Sequence, residues 1–233
     1  MTDIVASDGL NWLKVGLARD NSAPESHEKL GIDIVRSNTQ NILWDIGAYH
    51  GMYALRVAKD GKTVYAFEPN PDAYKILNQN LKLNRLAAHT MNMAISSFEG
   101  TMKLTGTGPF GTANYYSFAE RSFKAPCQSI DNLIMKEKMP PPDFIKIDVE
   151  QHEVEVLKGA VFTLINHAPR LLVECHRIQY TVRSHPGETR NIRLNQYLVE
   201  ELLNRLGYVN QFVGEKIYAT PSAVRSYGTS RPD

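Results

Sequence analysis

Residues 41–51 read NILWDIGAYHG, and this stretch decides the fold. Ile42, Leu43 and Trp44 form a short apolar run that reads as a buried strand ending in Asp45. Gly47-Ala48-Tyr49-His50-Gly51 follows as a turn, and Met52, Leu55, Val57 and Ala58 then give a helical pattern closed by Asp60-Gly61. Strand, glycine turn and helix make the first unit of an open α/β nucleotide-binding sheet. The glycines let backbone pass close to a ligand, and a helix start offers unpaired N–H groups and a positive dipole end. A dinucleotide fingerprint is G-x-G-x-x-G, whereas here three non-glycine residues separate Gly47 from Gly51. With an acid closing the strand, this spacing suits a single cationic adenosyl ligand, S-adenosylmethionine, better than a pyrophosphate. Asp45, Gly47, Ala48, Tyr49 and Gly51 are therefore candidate cofactor residues. The competing reading is a tight turn that binds nothing.

The chain downstream supplies further walls. Thr63–Phe67, TVYAF, is a β-prone run suited to burial on both faces. It ends in Glu68-Pro69-Asn70-Pro71, and a carboxylate at the end of the second strand can accept both hydroxyls of a ribose. Asp72 opens the next helix. A third strand is expected at residues 90–95, with Asn92 and Ala94 as candidates for contact with adenine. Residues 100–104 read as an edge strand or hairpin. The glycine- and aromatic-rich residues 105–117 read as a lid or a surface loop. Residues 123–128 are a further strand, and Ser129 caps a helix over residues 129–138. The fourth strand covers residues 143–149, followed by one helix carrying Val154, Val156, Leu157, Val161 and Leu164. The fifth covers residues 170–175 and presents Glu174 and His176. After a polar loop at residues 177–188 come a helix over residues 191–206 and two antiparallel strands, Tyr208–Val213 and residues 216–220.

At 233 residues, 42% hydrophobic and 22% charged, the composition is that of one ordinary globular domain. A net charge of +1 creates no field for nucleic acid or an anionic membrane, so nucleic acid is not an expected partner. Cys127 and Cys175 lack metal-ligand spacing, and reduced thiols in a cytoplasmic protein are expected. No signal peptide or membrane-spanning run is expected. Leu10, Leu13 and Leu17, with Trp12 and Val15, suggest a short amphipathic helix entered at Ser7 or Asp8. A second helix is expected from Glu25 past Leu30 and Ile34. Residues 1–40 thus read as a helical cap on the sheet, or else as a lid or homodimer contact.

Trp44-Asp45-Ile46-Gly47-Ala48-Tyr49-His50-Gly51, Ala66-Phe67-Glu68-Pro69-Asn70, the stretch DFIKIDVE from Asp143 to Glu150, and Leu157-Lys158-Gly159-Ala160 together resemble the FkbM-type S-adenosylmethionine-dependent methyltransferases. The third and fourth of these are the most specific. The resemblance implies a Rossmann-like class I methyltransferase: an α/β fold with a seven-stranded, mostly parallel sheet, a C-terminal antiparallel hairpin and helices on both faces. The methyltransferase domain would cover residues 41–220, with a tail at residues 221–233. The implied reaction is methyl transfer to a hydroxyl of a sugar, glycolipid or polyketide-like small molecule. The chain departs from the family in two places: Tyr49 stands where relatives carry Asn, and Gln151 where they carry Gly.

Transfer from a sulfonium is an in-line displacement, and a sugar hydroxyl is a weak nucleophile helped by a general base. Asp45 and Asp148 are assigned to the aminoacyl and sulfonium side, and Glu68 to the ribose. His152, Glu150 or His176 would be the base, while each histidine also reads as a structural strand-end or helix-start residue. A divalent metal on Asp148, Glu174 and His176 is the minor reading; the base assignments need none. Competing functions are a nicotinamide-dependent oxidoreductase, a methyltransferase of RNA or protein, and a non-catalytic relative that kept the fold.

Overall fold

The computed structural model describes residues 3–5, 8–13, 26–107, 110–112, 122–176, 178–181, 189–192 and 194–223. In chain order the elements are β1 (Asp3–Val5), β2 (Asn11–Leu13), α1 (Ser26–Asn38), β3 (Ile42–Ile46), α2 (Met52–Lys59), β4 (Thr63–Phe67) and α3 (Pro71–Leu83). Next come β5 (His89–Met91), β6 (Ala94–Ile95), β7 (Gly100–Thr107), β8 (Phe110–Thr112), β9 (Ser122–Gln128), α4 (Ile130–Met135) and β10 (Phe144–Ile147). The chain continues with α5 (Glu153–Lys158), α6 (Val161–Asn166), β11 (Arg170–Glu174), β12 (Ile178–Thr181) and β13 (Thr189–Ile192). It closes with α7 (Leu194–Arg205), β14 (Tyr208–Val213) and β15 (Lys216–Pro221).

The central sheet has seven strands in the order β14-β15-β11-β10-β3-β4-β5. The five inner and β5-side strands run parallel, and the β14–β15 hairpin is antiparallel. From β3 the chain winds outward through β4 and β5, then returns to lay β10 on the other side of β3. That reversal opens a crevice at the carboxyl ends of β3 and β10, where ligands bind in open α/β sheets.

Strand side chains alternate between two cores. Leu43, Phe144 and Leu172 point to one side and pack with Ile32, Val35, Ala54, Leu55 and Leu77 of α1, α2 and α3. Trp44, Ile46, Ile145, Ile147, Leu171 and Val173 point to the other and pack with residues of α4 to α7. A second, smaller sheet has the strand order β6-β9-β7-β8.

Several of these expectations are corrected. The helix expected from residue 8 is instead a turn followed by β2. Leu10 and Trp12 are buried, and the backbone N–H groups of Asn11 and Leu13 donate to Asn84 Oδ1 and Asn80 Oδ1 of α3. Side-chain amides of a neighbouring helix thus satisfy an extended backbone. Leu17 and Val15 lie outside the described residues. The third strand splits at Asn92: β5 belongs to the main sheet and β6 pairs with β9. The helix after β10 breaks at Gly159, whose added Cβ would lie 2.1 Å from the Ser96 carbonyl oxygen. The polar segment after residue 177 contains β12, paired with β13, and because β13 takes Thr189–Ile192 the helix expected from Asn191 begins only at Leu194. Within residues 105–117, β7 runs on to Thr107 and pairs with β8; the remainder, like residues 224–233, lies outside the described residues.

Candidate functional site

The turn after β3 is pinned from three sides. Gly47 and Ala48 N–H both donate to the Phe67 carbonyl at the end of β4, at 2.9 and 3.0 Å. Gly47 has φ +76°, and a Cβ there would meet the Asp148 carbonyl oxygen at 1.8 Å, so only glycine lets β3 and β10 deliver their ends this close. Gly51 (φ 96°) serves as N-cap of α2 and leaves the helix start without a side-chain cap.

Glu68 is buried at the end of β4. Its Oε2 accepts from Tyr49 N–H at 2.7 Å and its Oε1 from Asn70 N–H at 2.8 Å. Burial pushes its pKa up to about 7 against these two bonds and the field of Lys146. A carboxylate has about four acceptor positions, so both oxygens retain capacity toward the cavity they line. That cavity is about 190 Å³. Ala48, Phe67, Pro69, Met93 and Ile95 form an apolar part of its wall, and Asp148, Glu150, His152 and His176 a polar end.

Beneath the turn sits a buried ammonium. Lys146 Nζ donates to the Gly47 carbonyl at 2.8 Å, lies 3.2 Å from Asp45 Oδ1 and 3.4 Å from Asp148 Oδ2, and stands 5.1 Å from the Tyr53 ring centroid. Burial opposes its charge, but Asp45 and Asp148 prevail and hold its pKa above the ordinary lysine value. Asp45 is fully buried; its other oxygen accepts from Ala54 N–H at 3.1 Å, which ties the end of β3 to α2. A second buried lysine, Lys216, pairs with Glu174 at 2.6 Å and Glu28 at 3.4 Å, and Glu28 also accepts from the Tyr53 hydroxyl.

At the polar end, His152 Nε2 is 2.8 Å from Ser96 Oγ, and burial lowers its pKa below the ordinary value, so the ring is neutral near pH 7. His176 behaves oppositely. Burial alone would neutralise it, yet the hydrogen bond to Glu153 and the fields of Asp148 and Glu150 raise its pKa to about 10. Its Nδ1 is 2.8 Å from Glu153 Oε1, and its Nε2 is 3.7 Å from Asp148 Oδ1 and 3.5 Å from Glu150 Oε2. Burial raises the pKa of Glu150. Asp148 is held below the usual carboxylate range because Lys146, His176 and Lys216 together outweigh its burial.

The sequence profile of the Methyltransferase FkbM domain matches residues 45–209. The chain belongs to the FkbM methyltransferase family. The hexuronic acid methyltransferase AglP of Haloferax volcanii is 29% identical over 149 residues, covering 62% of this chain and 62% of that protein. Among solved structures, the FkbM methyltransferase of Methylobacillus flagellatus KT superposes with a TM-score of 0.50 at 17% identity, over 78% of this chain and 43% of that one. The O-methyltransferase of Bacillus cereus gives 0.50 at 15% identity over 86% and 82% of the two chains. The chain thus spans less than two thirds of the first two proteins, and the distant structures establish the class I methyltransferase fold. S-adenosylmethionine is the methyl donor of this family. Among the described residues no helix is long and apolar enough to cross a membrane.

The two departures from the FkbM pattern fall at strained backbone. Tyr49 has φ 50° and Gln151 φ 77°, both in the left-handed region that Asn and Gly occupy most easily. Tyr49 also lines the cavity and stacks on His50, ring centroids 3.6 Å apart.

Of the residues singled out in the sequence, Gly47, Ala48, Tyr49, Glu68, Ala94, Asp148, Glu150, His152, Glu174 and His176 line one cavity. Asp45, Gly51 and Asn92 do not line it. Asp45 is committed to Lys146 and Ala54, Gly51 caps α2, and Asn92 donates its amide to the Glu68 and Pro69 carbonyls, holding the chain after β4. Glu174 is neutralised by Lys216 rather than left for a metal. Sequence reading missed Lys146, Glu28 and Tyr53. Lys146 was visible as the one charged side chain inside the apolar run FIKI. Glu28 and Tyr53 carried no such signal, since each looks like an ordinary helix residue.

Proposed function

We propose that this chain transfers the methyl group of S-adenosylmethionine to a hydroxyl oxygen of a saccharide, with His152 as general base. The carrying observation is a neutral, Ser96-held imidazole in the wall of the cavity that the Glu68 carboxylate also lines. The name of the Haloferax volcanii relative, a hexuronic acid methyltransferase, supports a sugar as acceptor.

Bound S-adenosylmethionine supplies an electrophilic methyl carbon on a sulfonium. Glu68 would hold its ribose hydroxyls, the apolar wall its adenine, and Glu28 its cationic aminoacyl end. Met93, Met102 and Leu104 keep water from the reacting oxygen. With Nε2 held by Ser96, the imidazole takes the hydroxyl proton at Nδ1, a contribution of roughly 10²–10⁴-fold. His176 is unsuited to this task because its two ring nitrogens face the carboxylates of Glu153, Asp148 and Glu150.

The test is transfer of isotopically labelled methyl groups to a panel of hexuronic acid glycosides, neutral hexosides and polyketide-type alcohols. An alkali-stable methyl ether on a saccharide is the expected product. Transfer only to a non-saccharide alcohol would overturn the acceptor class. An alkali-labile methyl ester would overturn the role of the base, because a carboxylate acceptor needs none.

A further inference from the structure

We propose that Asp148, Glu150 and His176 form a binding site for one divalent cation at the polar end of the cavity. Each residue offers one donor atom, and the three atoms lie within 4.8 Å of one another. The site was anticipated only around Glu174, which Lys216 neutralises; Glu150 takes that place.

The separations favour a cation over direct hydrogen bonding. His176 Nε2 lies 3.5 Å from Glu150 Oε2 and 3.7 Å from Asp148 Oδ1, beyond good N–H···O distances. Two metal–ligand bonds of about 2.1 Å meeting at a tetrahedral angle place their donor atoms about 3.4 Å apart. The two His176 separations match that spacing, while Asp148 and Glu150, within 4.8 Å of each other, have to close toward one another to share one ion.

A separate residue prepares the imidazole. Glu153 is fully buried, receives the side-chain amide of Asn195, and meets His176 Nδ1 at 2.8 Å. A carboxylate on one ring nitrogen fixes the tautomer that turns the other, Nε2, toward a metal. Nε2 is the nitrogen facing Asp148 and Glu150, and it releases its proton to solvent as the cation binds.

The neighbouring carboxylates sharpen the contrast. Asp45 has Lys146, Glu174 has Lys216, and Glu68 has two backbone N–H groups. Among the described residues no lysine or arginine pairs with Glu150, and Lys146 approaches only the other oxygen of Asp148. Two carboxylates and one imidazole suit Mn²⁺, Fe²⁺ or Zn²⁺. Three protein ligands leave coordination positions open, as in catalytic rather than structural sites. Because all three residues line the cavity, those positions face the acceptor. A cation there would hold two oxygens of a saccharide and offset the negative charge of this end toward an acidic sugar. That role rests on the function proposed above; the site itself does not.

The test measures Mn²⁺ bound to the full chain by the electron paramagnetic resonance signal of the free ion, with S-adenosylhomocysteine present and no acceptor. One Mn²⁺ per chain is expected, with Glu150→Gln weakening it on the order of tenfold or more while S-adenosylhomocysteine affinity is kept. Glu150 is partly exposed, so this variant tests the site without opening the core. Failure of wild type to bind Mn²⁺ at millimolar concentration, or equal binding by wild type and Glu150→Gln, would overturn the proposal. Methyl transfer is not read, so the wrong acceptor class cannot mimic either result.

Discussion

Lys146 Nζ donates a 2.8 Å hydrogen bond to the carbonyl oxygen of Gly47, joining the two most informative stretches of the sequence through one buried charge. The same ammonium serves Asp45 and Asp148, so it sets the shape of the turn and the charge of the cavity floor together. Removing one member of a buried ion pair strands the others, typically at about 3–5 kcal/mol. Lys146→Met is expected to lower unfolding free energy by about 3 kcal/mol in urea titrations and to weaken S-adenosylhomocysteine binding. A loss below ~1 kcal/mol would contradict the bracket.

Gly47 and Gly61 share nearly the same dihedral, φ +76° and +77°, but differ in surroundings. An added Cβ at Gly61 meets nothing within 4 Å, whereas at Gly47 it meets the Asp148 carbonyl at 1.8 Å. Gly61→Ala is expected to cost only the left-handed backbone penalty, about 1–2 kcal/mol. Gly47→Ala should cost more and abolish S-adenosylhomocysteine binding in calorimetry. Equal behaviour of the two variants would show that the close approach of β3 and β10 is not what fixes this glycine.

His50 is buried, its Nε2 has no hydrogen-bond partner among the described residues, and burial pushes its pKa down to about 4 from an ordinary 6.5. Between those values the unfolded chain binds a proton that the folded chain refuses, so stability falls as pH drops through this window. The loss reaches on the order of 3 kcal/mol. Chemical denaturation at pH 7 and pH 4.5 should show a shallower acid loss for His50→Asn than for wild type. Parallel curves would rule out His50 as a source of that slope.

Gln151 spends φ 77° on a residue with a Cβ. Replacing it by glycine removes that strain while adding unfolded-chain entropy, for a net gain of roughly 0.5–1 kcal/mol. Thermal melting should rise in Gln151→Gly; a fall would mean that the Gln151 side chain contributes more than its backbone costs.

The legible parts of this molecule were those set by local patterns. The buried runs of β3, β4 and β10, the glycine turn, Ser129 as a cap and the Glu68 strand end follow from periodicity and turn chemistry, and the structure carries each of them. The parts that were not legible depend on partners distant in sequence. Residues 11–13 look helical by apolar spacing, yet they are extended because Asn80 and Asn84 of α3 bond their backbone. Asp45 reads as a ligand residue because it abuts the glycine turn, but Lys146, a hundred residues on, claims it. The same logic moved the candidate metal ligand from Glu174 to Glu150, since the neutralising Lys216 lies on β15.

The central proposal is that His152 acts as the base toward a saccharide hydroxyl. The most direct test compares turnover and S-adenosylhomocysteine affinity in wild type and His152→Ala with the best saccharide acceptor found. The expected result is a fall in kcat of roughly 10²-fold or more with cofactor affinity unchanged. Unchanged kcat in His152→Ala would contradict the account.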